Sequence, residues 1–319
     1  MSCILVTGAN GFVGSKLCQV LIDNSDTVHA ITRCRDFPLE TTALKHFSVI
    51  NIGSDTQWES ALDKVDCVIH LAARVHVMSD SSSNPLAIYR EVNTAGTMNL
   101  ARQALKAGVK RFIYISSIKV NGESTSKNTS FKASDEPFPT DPYAISKYEA
   151  EQQLFELTKG TDMGIVVIRP PLVYGPGVKA NFLTMMRWVN KEIPLPLGFI
   201  QNKRSLVALD NLVDLIVVCS MHKAAVNEVF LVSDGNDLSV TQLLHTMAKA
   251  LDKSSRLIPV PVWLIRLGAT ILRQNNTSKR LLGSLQVDIR KTQELLNWEP
   301  SITAEEALKE TANHFIKNL

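Results

Sequence analysis

The stretch Thr7-Gly8-Ala9-Asn10-Gly11-Phe12-Val13-Gly14 directly follows the apolar run Cys3 to Val6 and opens an amphipathic run. A strand, a turn with three glycines and a helix in this order are typical of a phosphate-binding unit. Gly8 permits a tight turn with positive φ, Gly11 lets the backbone approach a pyrophosphate, and Gly14 lets helix and strand pack closely. Because a helix N-terminus offers unpaired N–H groups to phosphates, the stretch predicts a dinucleotide site rather than a turn without a ligand.

Length and composition narrow the class of protein. The 319 residues suffice for one large or two modest domains, and the net charge of +3 predicts no partnership with nucleic acid or membrane. The five cysteines are scattered and never spaced C-x-x-C, which favours reduced thiols in a cytoplasm without a disulfide framework or a metal site. A first strand at residue 3 leaves no room for a signal peptide, and the longest apolar run, Val260 to Leu272, is too short to span a bilayer.

Strands and helices alternate through the first half of the chain. The predicted strands after the first are Thr27 to Thr32, Phe47 to Ile52, Asp66 to Ala73, Arg111 to Ser117 and Gly164 to Arg169, and the clearest helices are Pro85 to Ala107 and Pro142 to Lys159. Strands this apolar, without clean alternation, suit a parallel sheet covered on both faces. We therefore predict an α/β fold with a doubly wound parallel sheet.

Beyond Arg169, prolines and glycines break the regular alternation, which predicts a smaller mixed α/β region. Ser239-Val-Thr-Gln242 and Thr303-Ala-Glu-Glu306 have the pattern of capping boxes and predict two helix starts there. We expect residues 1–170 to form a dinucleotide-binding domain and residues 171–319 a substrate-binding region. Some segments of the second region are expected to return to the first domain.

The chemistry is concentrated between Asp141 and Lys147. Asp141 is a plausible N-cap and Pro142 fits the first helical position, so Tyr143 falls in the first turn. Tyr143 and Lys147 are four residues apart and share a face, and a nearby ammonium favours the phenolate. We therefore expect a lowered pKa at Tyr143, although an ordinary amphipathic pair is the alternative. Ser117 ends a strand, where ligands bind in open α/β sheets, and can hydrogen-bond the same substrate oxygen as Tyr143.

Taken together, these motifs resemble the extended short-chain dehydrogenases/reductases of the NAD(P)-dependent nucleotide-sugar epimerase/dehydratase family. The similarity extends over nearly the whole chain and includes UDP-sugar 4-epimerases and 4-ketoreductases. The matching motifs are Thr7 to Gly14, His70 to Ala73, Asn93 within Val92 to Thr97, Ser116-Ser117, Tyr143 to Lys147, and Arg169-Pro170 leading into Val173 to Gly177. The resemblance implies a Rossmann-type fold, an NAD(P) cofactor, a UDP-sugar substrate and a homodimer.

The resemblance also implies roles for individual residues. Ser117 and Tyr143 would act at the sugar carbinol, and Lys147 would hold the nicotinamide ribose. The implied cofactor-binding residues are Gly8, Asn10, Gly11, Phe12, Val13, Gly14, Thr32, Arg33, Arg35, Asn51, Ile52, Leu71, Ala72, Ala73 and Pro170, with Tyr143 and Lys147. The implied substrate-binding residues are Ser117, Asn181 and Arg204 at the diphosphate side, Leu195 and Leu197 around the uracil, and Asp288 near the ribose. For Asn181, Arg204 and Asp288, a helix cap or a surface position is the alternative.

Two departures from the family pattern refine these expectations. NAD-preferring members place an acid at the end of the second strand, whereas this chain has Thr32 followed by Arg33 and Arg35. Guanidinium groups in place of a carboxylate suit a 2′-phosphate, so NADP(H) is favoured, NAD(H) stays possible, and solvated arginines are the alternative. Sugar 4,6-dehydratases carry an Asp-Glu pair where this chain has Ile118-Lys119, which argues against dehydration.

A reductase is the leading functional hypothesis. It would reduce a UDP-4-keto-(6-deoxy)-N-acetylhexosamine in the synthesis of sugars for surface polysaccharides. A UDP-hexose or UDP-N-acetylhexosamine 4-epimerase with retained NAD uses the same residues and is the alternative. A non-catalytic NAD(P)-sensing regulator is a further alternative, disfavoured because Tyr143 and Lys147 are both present, and Arg204 argues against a reductase of other small ketones.

Overall fold

A seven-stranded parallel sheet forms the centre of the protein in the computed structural model, which describes residues 2–33, 41–75, 84–271 and 281–319. In chain order the strands are β1 (Cys3–Thr7), β2 (Thr27–Thr32), β3 (Leu44–Ser48), β4 (Cys67–His70), β5 (Arg111–Ile115), β6 (Gly164–Arg169), β7 (Leu172–Tyr174), β8 (Leu206–Ala208) and β9 (Glu228–Leu231). The large sheet has the order β3-β2-β1-β4-β5-β6-β9, and β7 pairs with β8 in a small separate sheet. These nine described strands all pair in parallel.

Helices connect the strands and cover the sheet. They are α1 (Phe12–Asp23), α2 (Pro85–Tyr89), α3 (Thr97–Lys106), α4 (Pro142–Thr158), α5 (Ala180–Asn190), α6 (Leu209–Met221), α7 (Val240–Ala250), α8 (Val262–Ile271), α9 (Arg290–Leu296) and α10 (Ala304–Lys317). A π-helical segment, Arg90–Gly96, joins α2 to α3. All six residues of β6 are buried, which fits a strand covered on both faces. The predicted doubly wound α/β fold is confirmed.

The order of the strands fixes where a ligand can bind. β1 pairs with β2 on one side and with β4 on the other, so the direction of winding reverses between β1 and β4. The register sets Thr7 opposite His70, and β4 in turn sets His70 opposite Tyr114 of β5. Because the strands are parallel, their carboxyl ends meet at one edge, where open α/β sheets bind ligands.

Several boundaries differ from those predicted. β3 begins at Leu44 rather than Phe47, because its register with β2 places Leu44 opposite Val28 and Ser48 opposite Thr32. β4 ends at His70 and β5 at Ile115, so the motif residues that follow both strands lie in turns beyond the sheet. β9 was not predicted as a strand, although it completes the sheet beside β6. A four-residue apolar run carries little periodicity, and only its pairing with β6 identifies it.

Residues after 170 contribute to two cores. β9 and much of α6 belong to the core on one face of the large sheet, whereas α5, α7 and α10 surround a second core beside β7 and β8. Both predicted capping boxes are present, with Ser239 capping α7 and Thr303 capping α10. The division into residues 1–170 and 171–319 stays a prediction, and the large sheet recruits segments from beyond it.

Candidate active site

The glycine turn lies between β1 and α1 at the carboxyl edge of the sheet. Gly8 has φ of +68°, and a Cβ on Gly14 would lie 2.1 Å from the carbonyl oxygen of Gly8. Both glycines are therefore required by the close packing of turn and helix. Gly11 is the N-cap of α1 and provides no side-chain cap for the helix. Gly11 therefore offers no side chain to the first-turn N–H groups, which suits binding of a phosphate at this end.

His70 lies in the buried floor of the site, and both of its ring nitrogens are hydrogen-bonded. Thr97 donates its hydroxyl proton to the carbonyl of Asn93, so it accepts a hydrogen bond from His70 Nε2 at 3.0 Å. His70 Nδ1 then accepts from the Thr7 hydroxyl at 2.7 Å, and Thr7 in turn accepts from the Ala72 N–H at 3.1 Å. Burial lowers the pKa of His70 to about 3, which keeps the ring neutral. The chain of hydrogen bonds ties the ends of β1 and β4 together.

The start of α4 positions Tyr143. The Asp141 side chain accepts a hydrogen bond from the Ala144 N–H at 2.7 Å, and Pro142 occupies the first helical position, as the sequence predicts. The Ser117 hydroxyl lies close enough to the Tyr143 hydroxyl to lower its pKa, and the Tyr143 ring packs edge-on against Tyr89 with centroids 6.1 Å apart. The two hydroxyls proposed to act on one substrate oxygen are therefore neighbours.

The pKa of Tyr143 moves in the direction opposite to that predicted. Burial raises it above its ordinary value, the carboxylate of Asp141 raises it further, and the hydrogen bond with Ser117 lowers it only in part. Burial disfavours the charged phenolate, and this effect outweighs the helix N-terminus. Because proximity in sequence does not show how deeply a phenol is buried, the pattern Y-x-x-x-K alone predicted the wrong sign.

Lys147 is fully buried beneath the site. Its Nζ donates to the carbonyl of Ile115 at 2.8 Å, where β5 ends, and lies 4.4 Å from the centre of the Tyr114 ring. Burial lowers the pKa of Lys147 to about 7, although the carboxylate of Glu151 raises it. The amine therefore titrates near neutral pH, and its remaining protons can serve a second partner.

Lys119 is a site residue whose role the sequence did not predict. Its backbone N–H donates to Ser117 Oγ at 3.3 Å, and its ammonium forms an ion pair with Asp141. Lys119 therefore connects the turn that carries Ser117 with the cap of the helix that carries Tyr143. The departure from the Asp-Glu pair of dehydratases was the available signal, but the partner of Lys119 could not be read from it.

A buried ion pair beside the site also engages Asn121. The guanidinium of Arg169 pairs with Glu151 of α4, with Nη2 and Oε2 2.5 Å apart, and also donates to Asn121 Oδ1 at 2.9 Å. The amide of Asn121 then donates to the carbonyl of Lys132 at 3.0 Å. This network links the end of β6, helix α4 and the long loop after Asn121. Such a pair is costly to break from one side, so it holds α4 in one position.

Two polar residues behind the site were expected to lie near it. Asn93 is buried and satisfied: its amide accepts from the Arg74 N–H at 2.8 Å, donates to the Arg74 carbonyl, and donates to Ser146 Oγ at 3.0 Å. It holds the turn after β4 against α4. Ser116 Oγ is buried and has no hydrogen-bond partner within the described part of the chain. An unsatisfied hydroxyl at this edge fits a polar ligand group beside it.

The end of β2 carries the residues predicted to select the cofactor. Thr32 is buried, and its hydroxyl hydrogen-bonds His46 Nε2 at 2.8 Å. Arg33 is exposed, and Arg35 lies outside the described residues. Asn51 is exposed and Ile52 half-buried in the segment after β3. The end of β2 therefore carries a threonine hydroxyl that is hydrogen-bonded within the sheet, instead of an acid. The preference for NADP(H) stays a prediction.

The predicted substrate residues are engaged with other parts of the protein. Arg204 donates from Nη1 to the carbonyl of Gly283 at 3.1 Å, and burial lowers its pKa. Leu195 and Leu197 are buried in the second core, so their predicted contact with uracil stays a prediction. Asp288 pairs with Arg290, Oδ2 and Nη2 being 2.5 Å apart, and this pair lowers the pKa of its carboxyl.

Asn181 is the remaining predicted substrate residue. It is exposed in the first turn of α5, whose N-cap is Lys179 rather than Asn181. The structure thus brings Ser117, Tyr143 and Lys147 together at one edge, whereas the predicted substrate residues are held by separate segments. Contact of Asn181 with a diphosphate stays a prediction.

Comparison with known protein families places most of the chain in one of them. Residues 4–233 match the model of the NAD dependent epimerase/dehydratase family. A UDP-glucose 4-epimerase from Vibrio cholerae is 49% identical, over 98% of this chain and 95% of its own length. A relative from Escherichia coli O157:H7, N-acetyl-alpha-D-glucosaminyl-diphospho-ditrans,octacis-undecaprenol 4-epimerase, is 28% identical over 89% of this chain and 84% of its own.

Solved structures lead to the same group of folds. The crystal structure of a UDP-glucose 4-epimerase from Thermotoga maritima, with UDP-glucose, superposes with a TM-score of 0.77. The two sequences are 26% identical, and 99% of each chain is covered. The similarity thus includes the second, mixed region as well as the large sheet.

Proposed function

The chain belongs to the NAD-dependent epimerase/dehydratase family, and from that membership we propose that it catalyses hydride transfer at C4 of a UDP-linked sugar. The observation that carries the proposal is the position of Tyr143 beside Ser117, with Lys147 buried behind them, at the carboxyl edge of the sheet. The glycine turn, the start of α1 at Gly11 and the unsatisfied Ser116 hydroxyl lie at that same edge. These features fit a dinucleotide beside the reacting sugar.

The chain's own groups handle the proton and orient the sugar. Tyr143 exchanges a proton with O4, and Ser117 donates a hydrogen bond to the same oxygen as its charge develops. A nicotinamide dinucleotide, when bound, supplies or accepts the hydride at C4. Lys147 donates to the Ile115 carbonyl and is proposed to give its other protons to the nicotinamide ribose. Tyr143 is half-buried, with its ring against Tyr89.

Epimerisation at C4 is the form of this reaction that the relatives support. The protein from Vibrio cholerae, 49% identical over nearly the whole chain, is a UDP-glucose 4-epimerase by name. In this form Tyr143 first removes the O4 proton and later returns one. Between the two steps the sugar is a 4-ketose that rotates within the site, and the cofactor stays bound.

Net reduction of a UDP-4-keto sugar is the second candidate, and the end of β2 favours it. A reductase exchanges its cofactor at each turnover and draws on NADPH, for which Thr32 and the exposed Arg33 are suited better than a carboxylate would be. Tyr143 then donates its proton to O4 once, as hydride reaches C4. Its raised pKa keeps the phenol protonated at neutral pH, as an acid of this kind requires.

Two assays on the purified protein separate these forms. The first supplies UDP-4-keto-6-deoxy-N-acetylglucosamine with NADPH, and the second supplies UDP-glucose or UDP-N-acetylglucosamine without added cofactor, with products identified by NMR. Cofactor oxidation only in the first assay favours the reductase, and a C4 epimer in the second favours the epimerase. If neither assay gives a product changed at C4, the proposed function is wrong.

The cofactor proposal has its own test at Thr32. We expect Thr32→Asp to move the ratio of kcat/KM for NADPH and NADH toward NADH by about tenfold, because a carboxylate accepts from ribose hydroxyls and repels a 2′-phosphate. Thr41→Asp, which adds the same charge at an exposed position, serves as the control. An unchanged ratio in Thr32→Asp would show that β2 does not select the cofactor.

Substrate contacts and assembly complete the proposal. We propose that Arg204 and Asn181 contact the diphosphate, that Leu195 and Leu197 border the base, and that Asp288 lies near the ribose. The Arg204 guanidinium, which donates from Nη1 to the carbonyl of Gly283, would also contact the diphosphate. A homodimer, as expected from the resemblance, is checked by light scattering of the pure protein.

A further inference from the structure

Helix α8 is apolar on the side that faces away from the protein. None of its ten residues is buried. Val262 and Ile265 pack against the second core, whereas Trp263 and Ile271 on the other side are 64% and 73% exposed, and Leu264 and Leu267 are exposed with them. Large apolar side chains grouped on one outward helix side are typical of an interaction surface. The outward side of α8 therefore has the character of a binding surface.

Helix α10 is a second surface helix on the same core, and its outward side is polar. It caps the same second core with Leu308 and Phe315, yet its outward positions include Glu305, Lys309 and Glu310. Scattered exposed apolar residues are normal, but four large ones grouped on one short helix are not. The contrast between α8 and α10 shows that the apolar side of α8 is a local feature of this helix.

The charge of the sequence that contains α8 indicates which partner fits. From Lys253 to Ile271, the described stretch that ends with α8, the sequence has three basic residues, Lys253, Arg256 and Arg266, and neither Asp nor Glu, although the whole chain has a net charge of only +3. Arg256 and Arg266 are both exposed. A Trp- and Leu-rich helix side within a basic stretch is suited to an anionic lipid surface, where apolar side chains enter the headgroup region and arginines contact phosphates.

Helix α8 is too short to cross a membrane, so it would lie on the membrane surface. Ten helical residues extend about 15 Å, half the thickness of a bilayer core. No helix in the described ranges is long and apolar enough to cross a membrane. We propose that the outward side of α8 binds the surface of a bilayer that contains anionic phospholipid, with Trp263, Leu264, Leu267 and Ile271 inserted at the headgroup level.

Vesicle binding tests this proposal without reference to the enzyme's substrate, so its outcome is independent of the proposed function. The full-length protein is mixed with vesicles of phosphatidylcholine alone or with about one-third phosphatidylglycerol, and the bound fraction is measured by flotation. We expect binding only to the anionic vesicles, weakened at least several-fold when salt rises from about 0.05 to 0.5 M.

Matched variants locate the surface. Trp263→Gln with Leu267→Gln removes apolar contact, and Arg256→Gln with Arg266→Gln removes charge. Each pair is expected to lower binding about tenfold or more. The control for the first pair is Met221→Gln with Ile316→Gln, and for the second Lys309→Gln with Lys317→Gln, all exposed elsewhere. Thermal unfolding and activity on a soluble UDP-sugar confirm that each variant is folded.

Tryptophan fluorescence gives a direct reading of insertion. Of the four tryptophans, Trp58 and Trp298 are buried, so Trp188→Phe leaves Trp263 as the exposed reporter. We expect its emission to shift to the blue on adding anionic vesicles. The proposal is overturned if the protein does not bind anionic vesicles at low salt or if the α8 variants bind as well as their controls. It is overturned too if these variants instead change the oligomeric state, since α8 would then contact another copy.

Discussion

The dinucleotide half and the substrate half of the molecule hold their candidate residues in different ways. Ser117, Tyr143 and Lys147 lie at the ends of parallel strands or in the first turns of a helix, and each contacts another of them or the adjacent backbone. Arg204 and Asp288, by contrast, lie outside the large sheet, where Arg204 donates to the carbonyl of Gly283 and Asp288 pairs with Arg290. Sheet geometry fixes the first group, whereas local side-chain partners fix the second.

The largest effect is expected in the dinucleotide half, from removal of the Tyr143 hydroxyl. Tyr143→Phe removes the proton that moves to or from O4 while keeping the ring against Tyr89. We expect kcat/KM to fall by about 10² to 10⁴ in whichever assay shows turnover, with UDP-sugar affinity changed little. Tyr89→Phe is the control, because it removes a hydroxyl from the neighbouring ring. Full activity in Tyr143→Phe would show that another group transfers the proton.

Lys147→Met tests the buried amine through both activity and stability. Activity should fall by about 10² or more, because Lys147 is proposed to hold the cofactor. The pKa of Lys147 is lowered from 10.5 to about 7, so between those pH values the unfolded chain binds a proton that the folded chain does not. The free energy of unfolding of the native protein therefore rises with pH across this window, by up to a few kcal/mol.

The Met variant lacks that contribution. Its stability relative to the native protein should be greatest below pH 7 and decline toward pH 10.5, as measured by denaturant unfolding at several pH values. Lys159→Met, at the exposed end of α4, should show no such trend. Parallel pH dependence of the Met variant and the native protein would mean that Lys147 is charged in the fold.

How far the sequence could predict the molecule follows from the same contrast. The glycine turn and the cap by Asp141 follow from local pattern and were predicted correctly, whereas β3, β4 and β5 end earlier than predicted because pairing with neighbouring strands sets those ends. The direction of the Tyr143 pKa shift was predicted wrongly, because burial depends on packing between distant segments. The role of Asn121 was likewise invisible, since Arg169 and Lys132, its two partners, come from β6 and a long loop.

Arg204→Ala tests the substrate half and should have an intermediate effect. Removing a guanidinium from a diphosphate is expected to raise KM for the UDP-sugar about ten- to a hundredfold, with a smaller change in kcat. The KM of Arg204→Lys should lie between those of the native protein and of Arg204→Ala, because an ammonium keeps the charge but not the paired N–H geometry. Arg187→Ala, at an exposed position of α5, is the control. An unchanged KM would remove Arg204 from the nucleotide site and leave its bond to Gly283 as its role.

Substitution of Lys119 is expected to have the smallest effect on kcat/KM. Lys119 connects the turn of Ser117 with the cap of α4, but it is not assigned a step in the reaction. Its N–H donates to Ser117 and its ammonium pairs with Asp141, whose carboxylate raises the pKa of Tyr143. Lys119→Met leaves that carboxylate without its counter-charge. The pKa of Tyr143 should then rise further, and kcat/KM near neutral pH for oxidation of the C4 carbinol should fall several-fold.

The pH profile distinguishes this positioning role from a general loss of structure. In Lys119→Met the rising limb of kcat/KM for carbinol oxidation should move to higher pH, and Lys119→Arg should restore it, because the positive charge returns beside Asp141. The remaining groups that face Tyr143, the Ser117 hydroxyl and the Tyr89 and Tyr114 phenols, are unchanged in both variants. Lys110→Met, which breaks an exposed ion pair with Asp162, should leave the limb in place. A uniform loss of rate at every pH would instead mean that Lys119 acts only by holding the turn of Ser117 against α4.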